Sequence, residues 1–499
     1  MIRSLRSQPY FIVLLPVFFV LHGFLEHFGF INAGDVLMLA LVYLVVTALL
    51  YFFCRLIFRS RIKAALVAGA LMAFYLFFGA LYDFAKAHAP VPFFYKYSFL
   101  IGGFLVLFLA FFFFLKRSGS SFQRLTLFLN ILLIIYLVVD LAGIGWKAAH
   151  PLRDKLATYD FAKDNTSKIP DSCKKPDIYF LLFDEYAGSR SLKERFGFDN
   201  SDMDSFFVAN HFRLQTNSRS NYGMTPFSMA STLNMKYIEG VDPRVGVSRE
   251  DILSCNRLIR DNEVIKFLGM NGYEIVNLSV FDLAGHPAVV DQTFLPVRSK
   301  MITEGTLFPR IYRDFEWLFV NNRFFARFIP NRYAQHVKNN EYFLQTVRSL
   351  SAVQQQQPRF VYAHFYMPHF PFFFDRYGNR RPDSTLLREL EDLNGPAYLD
   401  YLLYTNGEIK KLVQTIQANS RSTAAIMVMS DHGLRWTEQD SLFHLIFQNL
   451  NAVYLPGGRY DQFYDSITNV NQFRIVFNTL FRQQFPLLKD STILLKDKR

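Results

Sequence analysis

The stretch IMVMSDHGLRW, residues 426–436, passes from an apolar run into an aspartate, a histidine and a glycine. The apolar run is typical of a buried β-strand, and Asp431-His432-Gly433 follows where that strand ends. The tripeptide fits a loop, in which the aspartate accepts backbone hydrogen bonds and the glycine supplies a positive φ. It also fits one part of a metal site, because carboxylate and imidazole groups are common metal ligands.

Further apolar runs of strand length alternate with helical patterns in the second part of the chain. Strands are predicted at DIYFLLF (177–183), RFVYAHFYM (359–367) and NAVYLP (451–456), and a long helix is predicted over 397–419. Strands that are apolar on both faces and alternate with helices indicate an α/β domain whose mainly parallel sheet is covered by helices. Ligands of such sheets bind at the carboxyl ends of the strands.

Polar side chains follow the predicted strands at this edge. The first strand runs into Asp184-Glu185, a later strand leads to His364 and His369 in AHFYMPHFPF, and the strand quoted above leads to Asp431-His432. Each pair alone fits a loop, but three pairs at corresponding strand ends favour a metal site. Carboxylate and imidazole ligands together suit one divalent ion, Zn²⁺ or Mn²⁺.

A candidate nucleophile lies in NSRSNYGMTPFSMASTLNM, residues 217–235. Thr225 precedes Pro226 and an apolar helical pattern, which predicts Thr225 at the helix N-cap and proline at the first helical position. A plain cap explains this sequence as well. A hydroxyl at a helix N-terminus nevertheless lies beside backbone N–H groups that can bind a phosphate or sulfate oxygen. Ser228 is the rival, although one turn inside the helix its hydroxyl is expected to bond to a carbonyl.

The first part of the chain carries five apolar runs, each about long enough to cross a bilayer at roughly 20 residues per helix. A cleaved signal peptide would explain only one of them. We therefore predict a membrane domain of five transmembrane helices over 1–150, a polar linker over 151–175 and a catalytic domain over 176–499. The runs lie near residues 9–25, 36–58, 63–82, 97–115 and 125–145.

Basic residues concentrate before the first run and in two alternate loops, which the positive-inside rule places in the cytoplasm. An odd number of spans then places the catalytic domain outside the cytoplasm. The net charge of +12 partly reflects this bias, and no nucleic-acid-binding motif is present. The basic residues are Arg3, Arg6, Arg55, Arg59, Arg61, Lys63, Lys116, Arg117 and Arg124.

Cysteines give an open prediction. Cys54 lies in an apolar run, whereas Cys173 and Cys255 would lie in a compartment that permits a disulfide. A disulfide between Cys173 and Cys255 and two free thiols are equally compatible with the sequence.

Four motifs in this order, PDIYFLLFDEYAG, MTPFSMASTL, MPHFPF and VMSDHG, resemble the alkaline phosphatase and sulfatase superfamily. Behind five apolar runs, they most resemble its membrane-anchored branch of lipoteichoic acid synthases and lipid A phosphoethanolamine transferases. The resemblance implies metal ligation by Asp184, Thr225, Asp431 and His432, with Thr225 as the nucleophile. It implies that His369, and less specifically His364, contacts the transferred group.

Two further residues are possible members of the site. Glu185 matches the second acidic residue of sulfatases. His444 in SLFHLIFQNL is a possible ligand, although its apolar neighbours favour a core or supporting position.

The motifs also depart from the superfamily pattern. Sulfatases convert a cysteine or serine to formylglycine and need a proline two residues on and an arginine four residues on. Here Thr225 is followed directly by Pro226, and Met229 occupies the arginine position. We therefore expect no formylglycine. The membrane transferases usually carry glutamate where this chain has Asp184, which leaves the choice of metal open.

The resemblance implies an integral enzyme of the bacterial inner or plasma membrane with a periplasmic catalytic domain. Its activity would be transfer of a phospholipid head-group phosphate, of the phosphoethanolamine or phosphoglycerol type, to an envelope glycan or lipid through a phospho-Thr intermediate. A membrane-tethered hydrolase of phosphate or sulfate esters is the alternative. A non-catalytic receptor with the same fold is a third interpretation, but no expected ligand is missing from the sequence.

Overall fold

The computed structural model describes residues 2–150, 168–241, 246–290, 299–320, 332–382, 385–386, 395–435 and 440–496. The chain forms two compact units. Residues Met1–Leu152 and Phe294–Phe319 form a helical unit, and Arg153–Thr293 with Val320–Arg499 forms a unit built around a β-sheet. The predicted linker over 151–175 lies largely outside the described residues.

All five predicted membrane runs are helices in the helical unit, after the short helix α1 (Ile2–Ser7). Four are long and apolar enough to span a bilayer, but Phe11–Glu26 has 16 residues and is shorter than the roughly 20 residues that a spanning helix needs. Four candidate spans are therefore established, and the predicted count of five is not confirmed. The helices are α2 (Phe11–Glu26), α3 (Ala33–Ile57), α4 (Arg61–His88), α5 (Tyr97–Arg117) and α6 (Gln123–Ala149).

The surfaces of these helices are apolar. Leu37 on α3 and Leu107 on α5 are each 71% exposed, and many large apolar side chains beside them are similarly exposed. Water around so large an apolar surface is unfavourable, whereas lipid chains are a suitable solvent for it. These helices therefore have the surface expected of a membrane anchor.

A segment from the second half of the chain packs on the helical unit, which the sequence did not predict. It contains helices α12 (Lys300–Thr303) and α13 (Leu307–Val320). Gly79 donates its backbone N–H to the Gly305 carbonyl oxygen at 2.8 Å, and a Cβ atom at Gly79 would lie 2.3 Å from that oxygen. Arg310 forms an ion pair with Asp83. The close approach at Gly79 requires glycine.

The described part of the second unit contains a six-stranded sheet, with strands β1 (Ile178–Phe183), β2 (Arg213–Leu214), β3 (Glu274–Leu278), β4 (Arg359–Phe365), β5 (Ala425–Met429) and β6 (Asn451–Tyr454). The strand order is β2-β6-β5-β1-β4-β3. The four strands β5, β1, β4 and β3 are parallel, as predicted, but β6 pairs with both β5 and β2 in antiparallel fashion, so the sheet is mixed.

Burial of the central strands explains their composition. Every residue of β1, β4 and β5 is buried, since helices cover both faces of the sheet. The described helices of this unit are α7 (Ser189–Phe196), α8 (Ser201–Ala209), α9 (Thr225–Asn234), α10 (Arg249–Arg260), α11 (Glu263–Met270), α14 (Arg332–Ala352), α15 (Gly395–Asn419) and α16 (Asn469–Phe481).

The cysteines are free thiols. Cys173 is half-buried and Cys255 is buried, and the structure contains no disulfide between them. Burial raises the pKa of the Cys255 thiol well above its ordinary value, which makes this side chain unreactive while the unit stays folded.

Candidate metal centre and nucleophile

The central strands bring the acidic residues and the histidines to one edge of the sheet. Strand β1 lies between β4 and β5, with Leu182 paired to His364 on one side and to Met429 on the other. Asp184 comes directly after β1, and Asp431 comes two residues after β5. Parallel strands end at the same edge, so these side chains meet although 247 positions separate Asp184 and Asp431 in the sequence.

Asp184, Asp431 and His432 form a group whose donor atoms all lie within 4.8 Å of one another. His432 Nε2 is 3.7 Å from Asp184 Oδ1 and 3.3 Å from Asp431 Oδ2. All three residues are buried, with at most 2% of their surface exposed. The predicted ligands Asp184, Asp431 and His432 therefore lie together. Their ligation of a metal stays a prediction.

The two carboxyl groups affect each other strongly. Burial and the negative charge of Asp431 raise the pKa of Asp184 to about 7. Burial would also raise the pKa of Asp431, but His432, His364 and the Thr225 hydroxyl hold it below its ordinary value. Two buried carboxylates at this separation are unfavourable when both are ionised, and a nearby cation would remove that cost.

The donor atoms of this group fit a divalent metal. Among the residues that the structure describes, Asp184 Oδ1 and Asp431 Oδ2 are buried and have no hydrogen-bond partner. His432 Nδ1 lies 2.8 Å from the Gly433 carbonyl oxygen, so a proton on Nδ1 leaves the Nε2 lone pair directed at the carboxylates. Two carboxylate oxygens and one imidazole nitrogen are a donor set suited to zinc or manganese.

Thr225 lies beside this group. Its hydroxyl oxygen is 3.4 Å from His432 Nε2. Helix α9 begins at Thr225, and Met224 is the N-cap, so the predicted N-cap position is wrong by one residue. The hydroxyl still lies at the positive end of the helix, where backbone N–H groups have no partners within the helix.

Ser228 occupies the position expected of a helix-interior serine. Its hydroxyl donates to the Asp431 carbonyl oxygen at 2.5 Å. This bond directs the Ser228 hydroxyl to the backbone at Asp431. The Thr225 hydroxyl, in contrast, contacts the His432 side chain.

Backbone geometry holds Asp431 and His432 in place. A Cβ atom at Gly433 would lie 2.3 Å from the carbonyl oxygens of Gln448 and Leu445, so glycine is required for close approach and not for a positive φ. Asn449 donates its side-chain N–H to the Ser430 carbonyl oxygen at 2.6 Å. Contacts of this kind, between residues distant in sequence, have no local sequence signal.

Glu185, directly after Asp184, has a left-handed backbone conformation. Its φ is +59°, a region that costs a residue with a side chain about 1 kcal/mol or more. This turn directs the Glu185 carboxylate away from Asp184, to a second cluster with His369 and Arg435. His369 Nε2 is 3.6 Å from Glu185 Oε2, and Arg435 Nε is 3.6 Å from Glu185 Oε1.

Arg435 was not singled out in the sequence, although it stands three residues after His432 in the opening stretch. Its Nη2 lies 2.6 Å from His369 Nε2. Burial would raise the pKa of Glu185, but Arg435 and His369 hold it below its ordinary value. A basic residue close behind the Asp-His pair was the only available signal for this contact.

His364 lies beside Asp184. Its Nε2 is 3.8 Å from Asp184 Oδ2, and its Nδ1 is hydrogen-bonded to the Tyr362 hydroxyl at 2.9 Å. Burial lowers the pKa of His364 to about 4, so the imidazole is neutral at pH 7. Its predicted contact with a transferred group remains a prediction.

His444 is separate from these clusters. It belongs to a 3₁₀ helix over Asp440–Ile446, is close to half exposed, and pairs with Glu194 at 2.8 Å. A position in the core, which its apolar neighbours favoured, is not what the structure shows. The group that could hold a metal among the described residues does not include His444.

Comparison with known proteins gives one family match. A family model described as Sulfatase matches residues 297–483. No curated protein matches the chain.

Solved structures similar to this chain include the periplasmic domains of two EptC proteins and a putative sulfatase, all at low identity. The zinc complex of the periplasmic domain of EcEptC from Escherichia coli has 9% identity and a TM-score of 0.37, covering 62% of this chain and 84% of that one. The periplasmic domain of the phosphoethanolamine transferase EptC from Campylobacter jejuni has 11% identity and a TM-score of 0.35, covering 62% and 91%. The putative sulfatase yidJ from Bacteroides fragilis has 12% identity and a TM-score of 0.35, covering 61% and 74%.

The family match falls on the part of the chain that supplies β4, β5 and the Asp431-His432 loop. It bears out the resemblance drawn from the four motifs. Residues 297–483 of this chain are therefore sulfatase-like, which is consistent with an enzyme of the alkaline phosphatase and sulfatase superfamily.

Proposed function

We propose that this protein is a membrane-anchored, metal-dependent phosphotransferase. It moves the phosphate-bearing head group of a phospholipid, of the phosphoethanolamine or phosphoglycerol type, to an envelope glycan or lipid. Its catalytic domain lies on the periplasmic side of the bacterial inner or plasma membrane, and Thr225 carries the phosphoryl group between the two substrates.

One observation carries the proposal. The Thr225 hydroxyl lies at a helix N-terminus, 3.4 Å from Nε2 of His432 in the candidate metal-binding group. A threonine that only began a helix would have no reason to contact the histidine of a buried metal-binding group. A nucleophile beside a metal-binding group is the arrangement used for phosphoryl and sulfuryl esters.

Asp184, Asp431 and His432 would hold the divalent ion, with the Thr225 oxygen adjacent to it. When bound, a zinc or manganese ion supplies positive charge that lowers the pKa of a neighbouring hydroxyl and stabilises negative charge on phosphoryl oxygens. Its charge also compensates the two buried carboxylates.

The reaction has two displacements. In the first, Thr225 Oγ1 loses its proton and forms a bond to phosphorus, the bond from phosphorus to the diacylglycerol oxygen breaks, and that oxygen takes up a proton. In the second, the acceptor hydroxyl loses its proton and attacks phosphorus, the bond to Thr225 Oγ1 breaks, and Oγ1 takes up a proton. The α9 N-terminus and the Arg435 guanidinium orient the phosphoryl oxygens in both steps.

A membrane anchor suits a lipid donor. The helical unit holds the chain at the bilayer that contains the donor head group, so the enzyme and the lipid do not have to meet by diffusion through solution. Hydrolysis of a sulfate ester is less suited to this site, because Thr225 and Met229 replace the residues needed to make formylglycine.

The test is trapping of the intermediate on the full chain in detergent or vesicles. Head-group ³²P-labelled phospholipid should label wild-type protein at Thr225, located by mass spectrometry. Thr225→Ala should take up no label, and Thr225→Ser should keep some because it retains the hydroxyl. Thr232, whose hydroxyl bonds to the Ser228 carbonyl oxygen in the same helix, gives the control Thr232→Val, which should still be labelled.

Label found at Ser228 or elsewhere in the Thr225→Ala variant would contradict the assignment of the nucleophile. Envelope extract then separates transfer from hydrolysis. A transferase moves the label to a glycan or lipid in the extract, whereas a hydrolase releases only a small soluble product from wild-type enzyme.

A further inference from the structure

A second pair of metal-type donors lies next to the candidate metal centre. The Glu185 carboxylate and the His369 imidazole are 3.6 Å apart, compared with 3.3 Å for Asp431 and His432. Glu185 is 1% exposed and its side chain reaches this place through a left-handed backbone turn. The two pairs have the same chemistry, so a cation could be held at either.

A guanidinium group occupies the second pair. Arg435 Nη2 is 2.6 Å from His369 Nε2, and Arg435 Nε is 3.6 Å from Glu185 Oε1. The backbone N–H of Arg435 also donates to Glu185 Oε1, at 3.2 Å. One residue therefore contacts both donors, through its side chain and its backbone.

The protonation of His369 fits this contact. Its Nδ1 lies 2.5 Å from the Phe370 carbonyl oxygen, which can only accept a hydrogen bond, so the proton is on Nδ1. Nε2 then carries a lone pair, and Arg435 donates to it. A metal at this place would also bind the Nε2 lone pair of His369, so the guanidinium occupies the position that such a metal would need.

We propose that the Arg435 guanidinium takes the place of a second metal ion and binds a non-bridging oxygen of the phosphoryl group. This inference rests on the proposed function, because it assigns a phosphoryl substrate to the same site. It assigns the enzyme a single metal and gives the remaining charge to a residue of the chain.

Formal charge supports a single metal with arginine. Asp184, Glu185 and Asp431 contribute three negative charges, and all three are buried. One divalent ion and Arg435 balance them, so a phosphodiester anion meets a site without net charge. Without Arg435 the site would be negative and would repel the anion.

The guanidinium of arginine suits this position better than a compact ammonium group does. Its planar group has five N–H donors, so contacts with His369 and Glu185 leave donors for an oxygen of the ligand. The Arg435 side chain is 35% exposed, whereas the Asp431 and His432 side chains are fully buried. An incoming anion can therefore reach the guanidinium from solvent.

The experiment measures metal content and anion binding on the full chain in detergent. Purified protein is stripped with chelator, reloaded with zinc and dialysed, and zinc per chain is measured by plasma mass spectrometry. We expect about one zinc ion for wild type and about two for Arg435→Ala, since the Glu185 and His369 donors become free. Arg435→Lys should stay at about one, because an ammonium group keeps the charge.

Inorganic phosphate is the probe for the anion, titrated calorimetrically into the zinc-loaded protein. Arg435→Ala should bind phosphate about 10- to 100-fold more weakly than wild type, the range expected for loss of one hydrogen bond to a charged group. Arg435→Lys should lie between the two, and millimolar guanidinium should restore part of the affinity of Arg435→Ala. Arg459→Ala is the matched control, because Arg459 is exposed beyond β6 and bonds to the Thr479 carbonyl oxygen.

Three results would overturn the proposal: two tightly held zinc ions in wild type, an Arg435→Ala variant that stays at one zinc ion, or unchanged phosphate affinity in that variant. If Arg435→Ala does not fold, Arg435→Lys must still bind phosphate more weakly than wild type. Zinc content and phosphate affinity, measured also on Thr225→Ala, separate the proposed role of Arg435 from the proposed transferase activity. Arginine-dependent phosphate binding without any phospho-enzyme in wild type would reject the transferase and keep the role of Arg435.

Discussion

Replacing Asp184 by asparagine should stabilise the metal-free protein and abolish its response to metal. Asp184 is 2% exposed, and one of its carboxylate oxygens has no hydrogen-bond partner among the described residues. In the absence of metal its ionised form is therefore a source of instability. Asparagine has nearly the same shape and carries no charge.

The size and pH dependence follow from the pKa. The pKa of Asp184 is raised from 3.8 to about 7, by burial and by the charge of Asp431. A shift of about three units at 1.36 kcal/mol each corresponds to about 4 kcal/mol of destabilisation once the group is ionised. Between about pH 4 and pH 7 the folded state binds more protons than the unfolded state, so stability falls as pH rises through this window.

Asp184→Asn should therefore be more stable than wild type at pH 8, by about 2 to 4 kcal/mol, with little difference at pH 4. Urea unfolding of the chelator-treated full chain tests this, with modification of the Cys255 thiol read by mass spectrometry. Cys255 is fully buried, so its labelling reports unfolding of its own unit. Adding zinc should reverse the order, because only wild type gains stability from binding it.

Asp177 is the matched control at the opposite end of β1. Its carboxylate accepts from Arg359 Nη2 at 2.9 Å, so Asp177→Asn should destabilise the protein at pH 8 by about 2 kcal/mol. The reasoning fails if Asp184→Asn is no more stable than wild type at pH 8. It also fails if the gain at pH 4 equals the gain at pH 8.

Three further outcomes are expected. His432→Ala should lose bound zinc, whereas His444→Ala should keep it, and equal zinc content in the two variants would contradict the candidate centre. Gly79→Val should expose the 299–320 segment to protease because a Cβ there meets the Gly305 carbonyl oxygen at 2.3 Å, whereas Gly102→Val, with nothing within 4 Å of its Cβ, should not. Protease added to spheroplasts should cleave the sheet-containing unit, and full protection would show that it faces the cytoplasm.

The strands of the sheet were predictable from the sequence where both of their faces are buried. Strands β1, β4 and β5 are apolar on both faces because helices cover both sides, and this pattern is local in the sequence. The direction of β6 was not predictable, because NAVY is equally apolar in a parallel or an antiparallel strand. Strand β2 has only two residues, too few for any period.

The candidate site was predictable to the extent that it follows from strand ends. Asp184 and Asp431 each come within two residues of a central strand, so the topology alone brings them together. The contact between Arg435 and His369, 66 positions earlier, does not follow from strand ends and was not predictable. The positive φ of Glu185 depends likewise on tertiary contacts, since glutamate has no local preference for it.

The region 290–350 is rich in phenylalanine and arginine, and its sequence does not assign it to a particular element. The segment 299–320 lies within this region. Its place on the helical unit depends on a glycine contact at Gly79 and on the Arg310–Asp83 ion pair, both with residues more than 220 positions away. Only the fold brings these partners together.

The number of spans affects the predicted position of the N-terminus more than that of the catalytic domain. Helix α2 has 16 residues, about 24 Å at 1.5 Å per residue, compared with about 30 Å of hydrocarbon. The loop between α5 and α6 is flanked by Lys116, Arg117 and Arg124, so the positive-inside rule places it in the cytoplasm whether or not α2 crosses the membrane. Helix α6 has 27 residues and then leads out on the opposite side. The periplasmic position proposed for the catalytic domain therefore requires α6 to span, and it does not require five spans.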